Sequence, residues 1–127
     1  MYYLLLIHAA ADTIASLPPD EIGATIEAVD RFDREISDAG QNLGSVRLAV
    51  ATTAVTVRVR DGKTVATDGP FAETKEQLGG IYLIDVAGID EAVEVASRLP
   101  TAKFCAIEVR LAVGVDLRRA VSPDAAR

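Results

Sequence analysis

The residues best suited to chemistry lie in one polar stretch, residues 68–82, which opens with Asp68-Gly69-Pro70. Glycine tolerates a positive φ and proline fixes its own φ, so this opening predicts a turn. The Asp68 carboxylate would either accept backbone N–H bonds within the turn or, in a pocket of low polarity, act as a base or anchor a ligand. From the sequence, both interpretations of Asp68 are equally open.

Further along the same stretch are side chains that a ligand would meet. Lys75 and Glu76 are charged, although a charge cluster on a loop is usually just solvated. Phe71 is expected to pack into the core and fix the loop, with a pocket wall as the alternative. Tyr82 offers a phenol from a strand, either to a pocket or to the core with its hydroxyl paired. The predicted ligand-binding residues are Gly69, Pro70, Phe71, Lys75, Glu76 and Tyr82.

His8 is the only histidine of the chain and follows an apolar, strand-like run. Imidazole titrates near neutral pH, so His8 is a candidate general acid or base. The alternative, which we favour, is a strand-end histidine that fills a loop contact. As catalytic candidates the sequence therefore offers Asp68 and, as its helper, His8.

The sequence has no pattern that is typical of a metal or cofactor site. Cys105 is the only cysteine, which excludes an intramolecular disulfide, fits a reducing compartment and predicts an inert buried thiol. One histidine and one cysteine without ligand spacing give a metal little support, and no P-loop or dinucleotide fingerprint is found. We predict neither a metal nor a cofactor. Arg58 and Arg60 are expected to pair with acids, anion binding being the alternative.

Composition sets the class of protein. A chain of 127 residues, half of them hydrophobic, suits one domain with a real core, which we place at residues 1–112. Residues 113–127 are expected to be partly mobile or to pack on a partner subunit. The net charge of −6 predicts no general affinity for nucleic acid. The apolar opening is too short to cross a bilayer, so we expect no membrane association and a cytoplasmic location.

Periodicity predicts six strands and two helices. Strands are expected at residues 2–7, within 44–51, and at 55–60, 64–67, 81–86 and 106–112. A helix is expected from Pro19 to a stop at Gly40, a second helix from Gly88 or Asp90 to Pro100, and a helical turn over residues 72–77.

Asp61-Gly62 predicts a tight hairpin, and the valines that alternate along residues 55–59 predict a buried strand face. Gly79-Gly80 predicts a bend or bulge before the next apolar strand. This order indicates an α+β sandwich with two helices on one face of a mainly antiparallel sheet.

The run from Asp68-Gly69-Pro70-Phe71 through Glu76-Gln77-Leu78-Gly79-Gly80 closely resembles the signature of the DGPF branch of the YCII-related proteins. The resemblance extends over most of residues 1–111. It implies a ferredoxin-like fold of the dimeric α/β-barrel type, in which the sheets of two subunits face each other. Where the family usually has Leu-x-Pro-Pro, this chain has Leu48-Ala49-Val50-Ala51, and residues 8–11 replace a common acidic stretch. Both departures are expected to lie beside a ligand pocket between the sheet and the signature loop.

Two functions follow as expectations. The first is a small homodimer with a pocket between the sheet and the signature loop, which binds a small polar or acidic metabolite and performs acid/base chemistry through Asp68. The second is a non-catalytic interaction or sensing module, because the resemblance implies a link to alternative sigma factors of bacterial transcription. We leave open whether the protein is an enzyme.

Overall fold

A computed structural model describes residues 1–118 and contains one four-stranded antiparallel sheet. The strands are β1 (Tyr2–Ala9), β2 (Asn42–Arg47), β5 (Gln77–Asp85) and β6 (Ala106–Leu111), and they lie in the order β2-β5-β1-β6. The two central strands, β1 and β5, contain the continuous apolar runs of residues 2–7 and 81–84.

Both long helices pack on one face of this sheet. Helix α1 (Pro19–Asp38) begins at a proline followed by two acids, which suit the positive end of a helix, and helix α2 (Ile89–Arg98) begins in the same acidic way. Their apolar stripes meet the side chains of β1 and β5 that point toward them. The buried core is Tyr3, Leu5, Phe32, Ile36, Tyr82, Ile84, Val86, Ala92, Val95, Ala96 and Leu99.

The order strand–helix–strand, strand–helix–strand, with the last strand beside the first, is the ferredoxin-like arrangement. The predicted α+β fold, with two helices on one face of an antiparallel sheet, is therefore confirmed. We call the opposite side of the sheet the outer face. The strand registers place Leu4, Leu6, His8, Val46, Ile81, Leu83, Glu108 and Arg110 on it.

Between β2 and β5 the chain inserts a separate hairpin, β3 (Val55–Arg60) and β4 (Lys63–Asp68). Asp61 and Gly62 both have positive φ, so the predicted tight turn is confirmed. Within residues 1–118 the hairpin pairs with no other strand. The prediction of a buried valine face is wrong for the single chain, because Val55, Val57 and Val59 are 57–60% exposed. The alternation of valines with polar residues was recognised correctly, but no element within residues 1–118 covers the valine face.

Three more predictions need correction. Residues 72–77 form no helical turn; the chain is irregular there, and Gln77 already begins β5. Strand β2 ends at Arg47, and the segment that was expected to continue it becomes a loop with a short 3₁₀ turn at Ala51–Thr53. Phe71 does not pack into the core, because it is 81% exposed.

The predicted bulge at Gly79-Gly80 is confirmed. Ile7 pairs with Gly80 and His8 pairs with Leu78, so Gly79 is an extra residue in β5. A Cβ on Gly80 would lie 2.9 Å from the Val46 carbonyl oxygen, closer than real Cβ atoms come, whereas one on Gly79 would meet only the Ile7 oxygen at 3.8 Å. At Gly80, therefore, β2 lies so close to β5 that only glycine fits.

Among residues 1–118, no helix is both long and apolar enough to cross a bilayer. Residues 113–118 have no regular secondary structure, and Val113 is almost fully exposed. The rest of the predicted C-terminal extension lies outside the described residues.

Candidate functional site

A cavity of about 470 Å³ lies between one side of α1, from Thr25 to Asp33, and one end of the sheet. Its volume falls in the range typical of small-molecule sites. Four parts of the chain form its wall: the end of β1 with the loop that follows, one side of α1, the end of β2 with residues 48–51, and the start of β5. Leu99, Thr101 and Cys105 complete the wall. Residues 9–11 and 48–51, which belong to the two departures from the family pattern, contribute to this lining.

Tyr82, Asp33 and Arg47 are among the polar residues that line the cavity. The Tyr82 hydroxyl donates a hydrogen bond of 2.5 Å to the Asp33 Oδ1 atom of α1. The Tyr82 ring is buried and meets Phe32 edge-on, with 5.7 Å between the ring centres. Arg47, which the register places on the same side of β2 as Tyr82, also lines the cavity. A carboxylate, a phenol and a guanidinium therefore line the same mainly apolar space.

This environment keeps Tyr82 protonated. Burial, and next the hydrogen bond and the negative charge of Asp33, raise the pKa of Tyr82 far above its usual value, and the positive charge of Arg47 opposes this only in part. Tyr82 is therefore a hydrogen-bond donor at neutral pH. The Asp33 carboxylate keeps lone pairs free for a second donor.

Two further groups of the lining are polar and lack a strong partner. The Thr101 hydroxyl is buried and has no hydrogen-bond partner among residues 1–118, a state that usually costs about 1–3 kcal/mol. Burial, and then the charge of Glu76, raise the pKa of the Cys105 thiol. The Cys105 thiol is thus no activated nucleophile, as the sequence predicted.

We call residues 68–76 the signature loop. Backbone contacts and the Gln77 side chain hold it, rather than the Asp68 carboxylate or a buried Phe71 as the sequence suggested. Gly69 has a φ of 103°, and the Thr56 hydroxyl and the Ala54 carbonyl bond its backbone at 2.8 and 2.7 Å. The Gln77 side-chain amide donates to the Ala72 and Thr74 carbonyls at 2.8 and 3.1 Å, and the Thr74 hydroxyl bonds the Glu76 carbonyl. Gln77 therefore braces the loop from the first position of β5.

The structure separates most of the predicted site residues. Tyr82 lines the cavity described above, whereas Pro70 lines a smaller neighbouring hollow of about 330 Å³ that shares the wall of residues 48–51. Asp68 lies at the end of β4, exposed, and among the described residues its carboxylate has no hydrogen-bond partner. Phe71, Lys75 and Glu76 are exposed on the loop.

His8 lies on the outer sheet face, away from the cavity side. Its Nε2 atom is 2.9 Å from Glu108 Oε1, and Arg110 is 3.7 Å from the other oxygen of the same carboxylate. His8 thus pairs with Glu108 and, within residues 1–118, makes no ion pair with Asp68. The catalytic roles of Asp68 and His8 remain predictions.

Reasoning from the sequence missed Asp33 and Arg47. The helical spacing of Ile26, Val29, Asp33 and Ile36 contained the signal for Asp33, because one acid stands within an apolar stripe. Arg47 carried no comparable signal. In the described part of the chain, no cluster of three acidic, histidine or cysteine residues could hold a metal ion.

Residues 1–113 match the family of YCII-related domains. A relative from Rhizobium meliloti is 40% identical over 103 residues, which are 80% of this chain and 82% of the relative; it is named only as an uncharacterized protein.

Proposed function

The chain belongs to the family of YCII-related domains, and we propose that it binds a small molecule in the cavity between α1 and the sheet. The observation that carries the proposal is the Tyr82–Asp33 pair in the wall of a mainly apolar space of about 470 Å³. Ligand sites typically combine an apolar lining with a few polar groups that fix orientation.

The polar groups indicate the class of ligand. The Arg47 guanidinium would pair with a carboxylate or a similar anionic group, and the free lone pairs of Asp33 would accept from a ligand hydroxyl or amine. The apolar part of the lining, which consists mainly of alanine, valine, leucine and isoleucine, would enclose a short apolar body. We therefore propose a small acidic metabolite with an apolar part, which narrows the polar or acidic ligand expected from the sequence.

A thermal-shift screen against a library of small organic acids tests this proposal, because binding to the native state raises the melting temperature. Ile26 and Ile89 form a matched pair: both are isoleucines on helices and about half exposed, but only Ile26 lines the cavity. Ile26→Trp should fill the space and abolish the shift, whereas Ile89→Trp should keep it. An unchanged shift in Ile26→Trp, or an equal loss in both variants, would reject the cavity as the site.

Three finer assignments are part of the proposal. We assign the protein to the DGPF branch, on the strength of its Asp68-Gly69-Pro70-Phe71 signature, and to the cytoplasm, on the strength of its single free thiol. We also propose a homodimer, supported by the apolar outer sheet face, whose central leucines and isoleucine are only partly covered in the single chain. Light scattering that gives only the 13.4 kDa species would reject the dimer.

A second candidate function is a non-catalytic interaction module that contacts a protein related to alternative sigma factors. The exposed valines of the hairpin favour a docking role of this general kind. The two candidates are separable, because only the first requires a ligand whose binding depends on Tyr82 and Ile26.

A further inference from the structure

The cavity between α1 and the sheet contains two side chains of opposite charge, Asp33 of α1 and Arg47 of β2. Within residues 1–118 these two side chains form no ion pair, either with each other or with a third group. The rest of the lining is mainly apolar. Because charges in apolar surroundings need partners, two opposite charges that do not meet suit a ligand that carries both complementary charges.

The strand register makes Arg47 a neighbour of Tyr82. Ser45 of β2 is paired directly with Tyr82 of β5, and Arg47 is two residues further along the same face of β2. Diagonal neighbours of this kind are about 7–8 Å apart, a distance that long side chains span. The Tyr82 hydroxyl also donates a hydrogen bond to Asp33 Oδ1. The carboxylate and the arginine are therefore both neighbours of one phenol.

The chemistry of the two charged groups specifies their ligand partners. Asp33 Oδ1 accepts from Tyr82, and a carboxylate keeps further lone pairs for a second donor. An ammonium group would supply both a donor and a positive charge at Asp33, whereas a hydroxyl would supply only the donor. A carboxylate matches the Arg47 guanidinium, because the two form paired N–H···O bonds. The polar groups therefore fit one ammonium group and one carboxylate.

We infer that the ligand is an α-amino acid with an apolar side chain, held by its ammonium group at Asp33 and by its carboxylate at Arg47. An α-amino acid carries both charged groups on one carbon atom, which suits two charges that are neighbours of one phenol. Its side chain would lie against apolar residues of the cavity wall such as Ile26 and Val29 of α1. The inference rests on the proposed small-molecule site and narrows its ligand from small acids in general to this class.

Three compounds that share one carbon skeleton test the inference. L-Leucine has both charged groups, 4-methylpentanoate lacks the amine, and 3-methylbutylamine lacks the carboxylate. Isothermal titration calorimetry at neutral pH measures the affinity of each. L-Leucine should bind at least about tenfold more tightly than either analogue, because each charge-assisted hydrogen bond adds to the binding free energy.

Variants of the two charged residues assign the groups. Asp33→Asn removes the negative charge but keeps an acceptor for the Tyr82 hydroxyl, so it should lower the affinity for L-leucine without weakening 4-methylpentanoate. Asp30→Asn is the matched control, because it removes an exposed acid of the same helix that does not line the cavity. Arg47→Gln should weaken both compounds that carry a carboxylate and leave 3-methylbutylamine unchanged.

The possible failures are distinguishable. Equal affinities for L-leucine and 4-methylpentanoate would overturn the amino-acid inference but keep the acid-binding cavity. An equal loss of L-leucine affinity in Asp33→Asn and Asp30→Asn would overturn the assignment of the ammonium group to Asp33. If neither L-leucine nor any small organic acid binds, the inference and the proposed function both fail.

Discussion

The Tyr82 hydroxyl and the Asp33 carboxylate, 2.5 Å apart, join a central strand of the sheet to the C-terminal half of α1. Tyr82 comes from β5, just after the glycine pair of the signature, and Asp33 is 49 residues away along the chain. The bond therefore links the signature strand to the helix that covers the cavity. This hydrogen bond stabilises the packing of α1 on the sheet, and its two side chains are also polar groups of the candidate site.

Tyr82→Phe should lower the free energy of unfolding by about 2 kcal/mol, because it leaves the half-buried Asp33 without its donor but keeps the ring against Phe32. Urea denaturation measures the change. Asp33→Asn, which keeps a carbonyl acceptor, should cost less. Equal stability of Tyr82→Phe and wild type would show that the bond contributes nothing.

The raised pKa of Tyr82 predicts a loss of stability at alkaline pH. Below the unfolded value of about 10 both states hold the phenol proton; above it only the native state does, so unfolding releases a proton and the free energy of unfolding falls as pH rises. This slope should be shallower in Tyr82→Phe. Urea titrations between neutral and strongly alkaline pH, with the phenolate absorbance followed in parallel, compare the two proteins. Identical slopes would contradict the assigned environment.

The lowered pKa of Glu91 predicts that the free energy of unfolding falls at acid pH, opposite to the effect of Tyr82. The Ala87 backbone N–H and then the Gln41 amide bond its carboxylate, at 2.7 and 2.9 Å, and hold its pKa below the usual value. The ionised Glu91 carboxylate therefore stabilises the native state at pH values above the unfolded pKa of about 4.3. This stabilisation is lost as the pH falls through the lower native pKa. Glu91→Gln should flatten the acid limb of stability against pH. Glu27→Gln, an exposed change on α1, should leave that limb unchanged, and a flattening by both would indicate a nonspecific charge effect.

Gly80→Ala should destabilise the protein by about 1–3 kcal/mol, since its Cβ would press on the Val46 carbonyl oxygen and force β2 away. Gly79→Ala is one residue away in the same bulge, has room for a Cβ, and should be close to neutral. Melting temperatures of the two variants test the difference. If the two variants have the same melting temperature, the close approach of β2 does not explain why residue 80 is a glycine.

The sequence was most informative where local chemistry and tertiary packing agree. The long helix, the Asp61-Gly62 hairpin and the glycine bulge all follow from residue types that permit little else, and the structure has them. Residues 72–77 misled because their polar composition suits a helical turn as well as a loop. The Gln77 side chain decides for the loop, through bonds that no periodicity reveals.

The candidate site was only partly predictable. Tyr82 was identified because an aromatic with a hydroxyl stood within an apolar strand next to the signature. Its partner Asp33 depends on how α1 crosses the sheet, which the sequence alone does not specify. The valine face of β3 was recognised as apolar, but the alternation of residue types does not reveal that this face is exposed in the single chain.

The most direct test of the central claim is to map a bound ligand on the protein. Backbone amide resonances would be followed by heteronuclear NMR while a small organic acid found in the screen is titrated. We predict shifts at the cavity wall, in Ala10, Thr25, Ile26 and Arg47, with little change at residues 68–76. Shifts centred on Asp68 and the exposed loop at Phe71, with an unperturbed cavity wall, would contradict it and return the site to the signature.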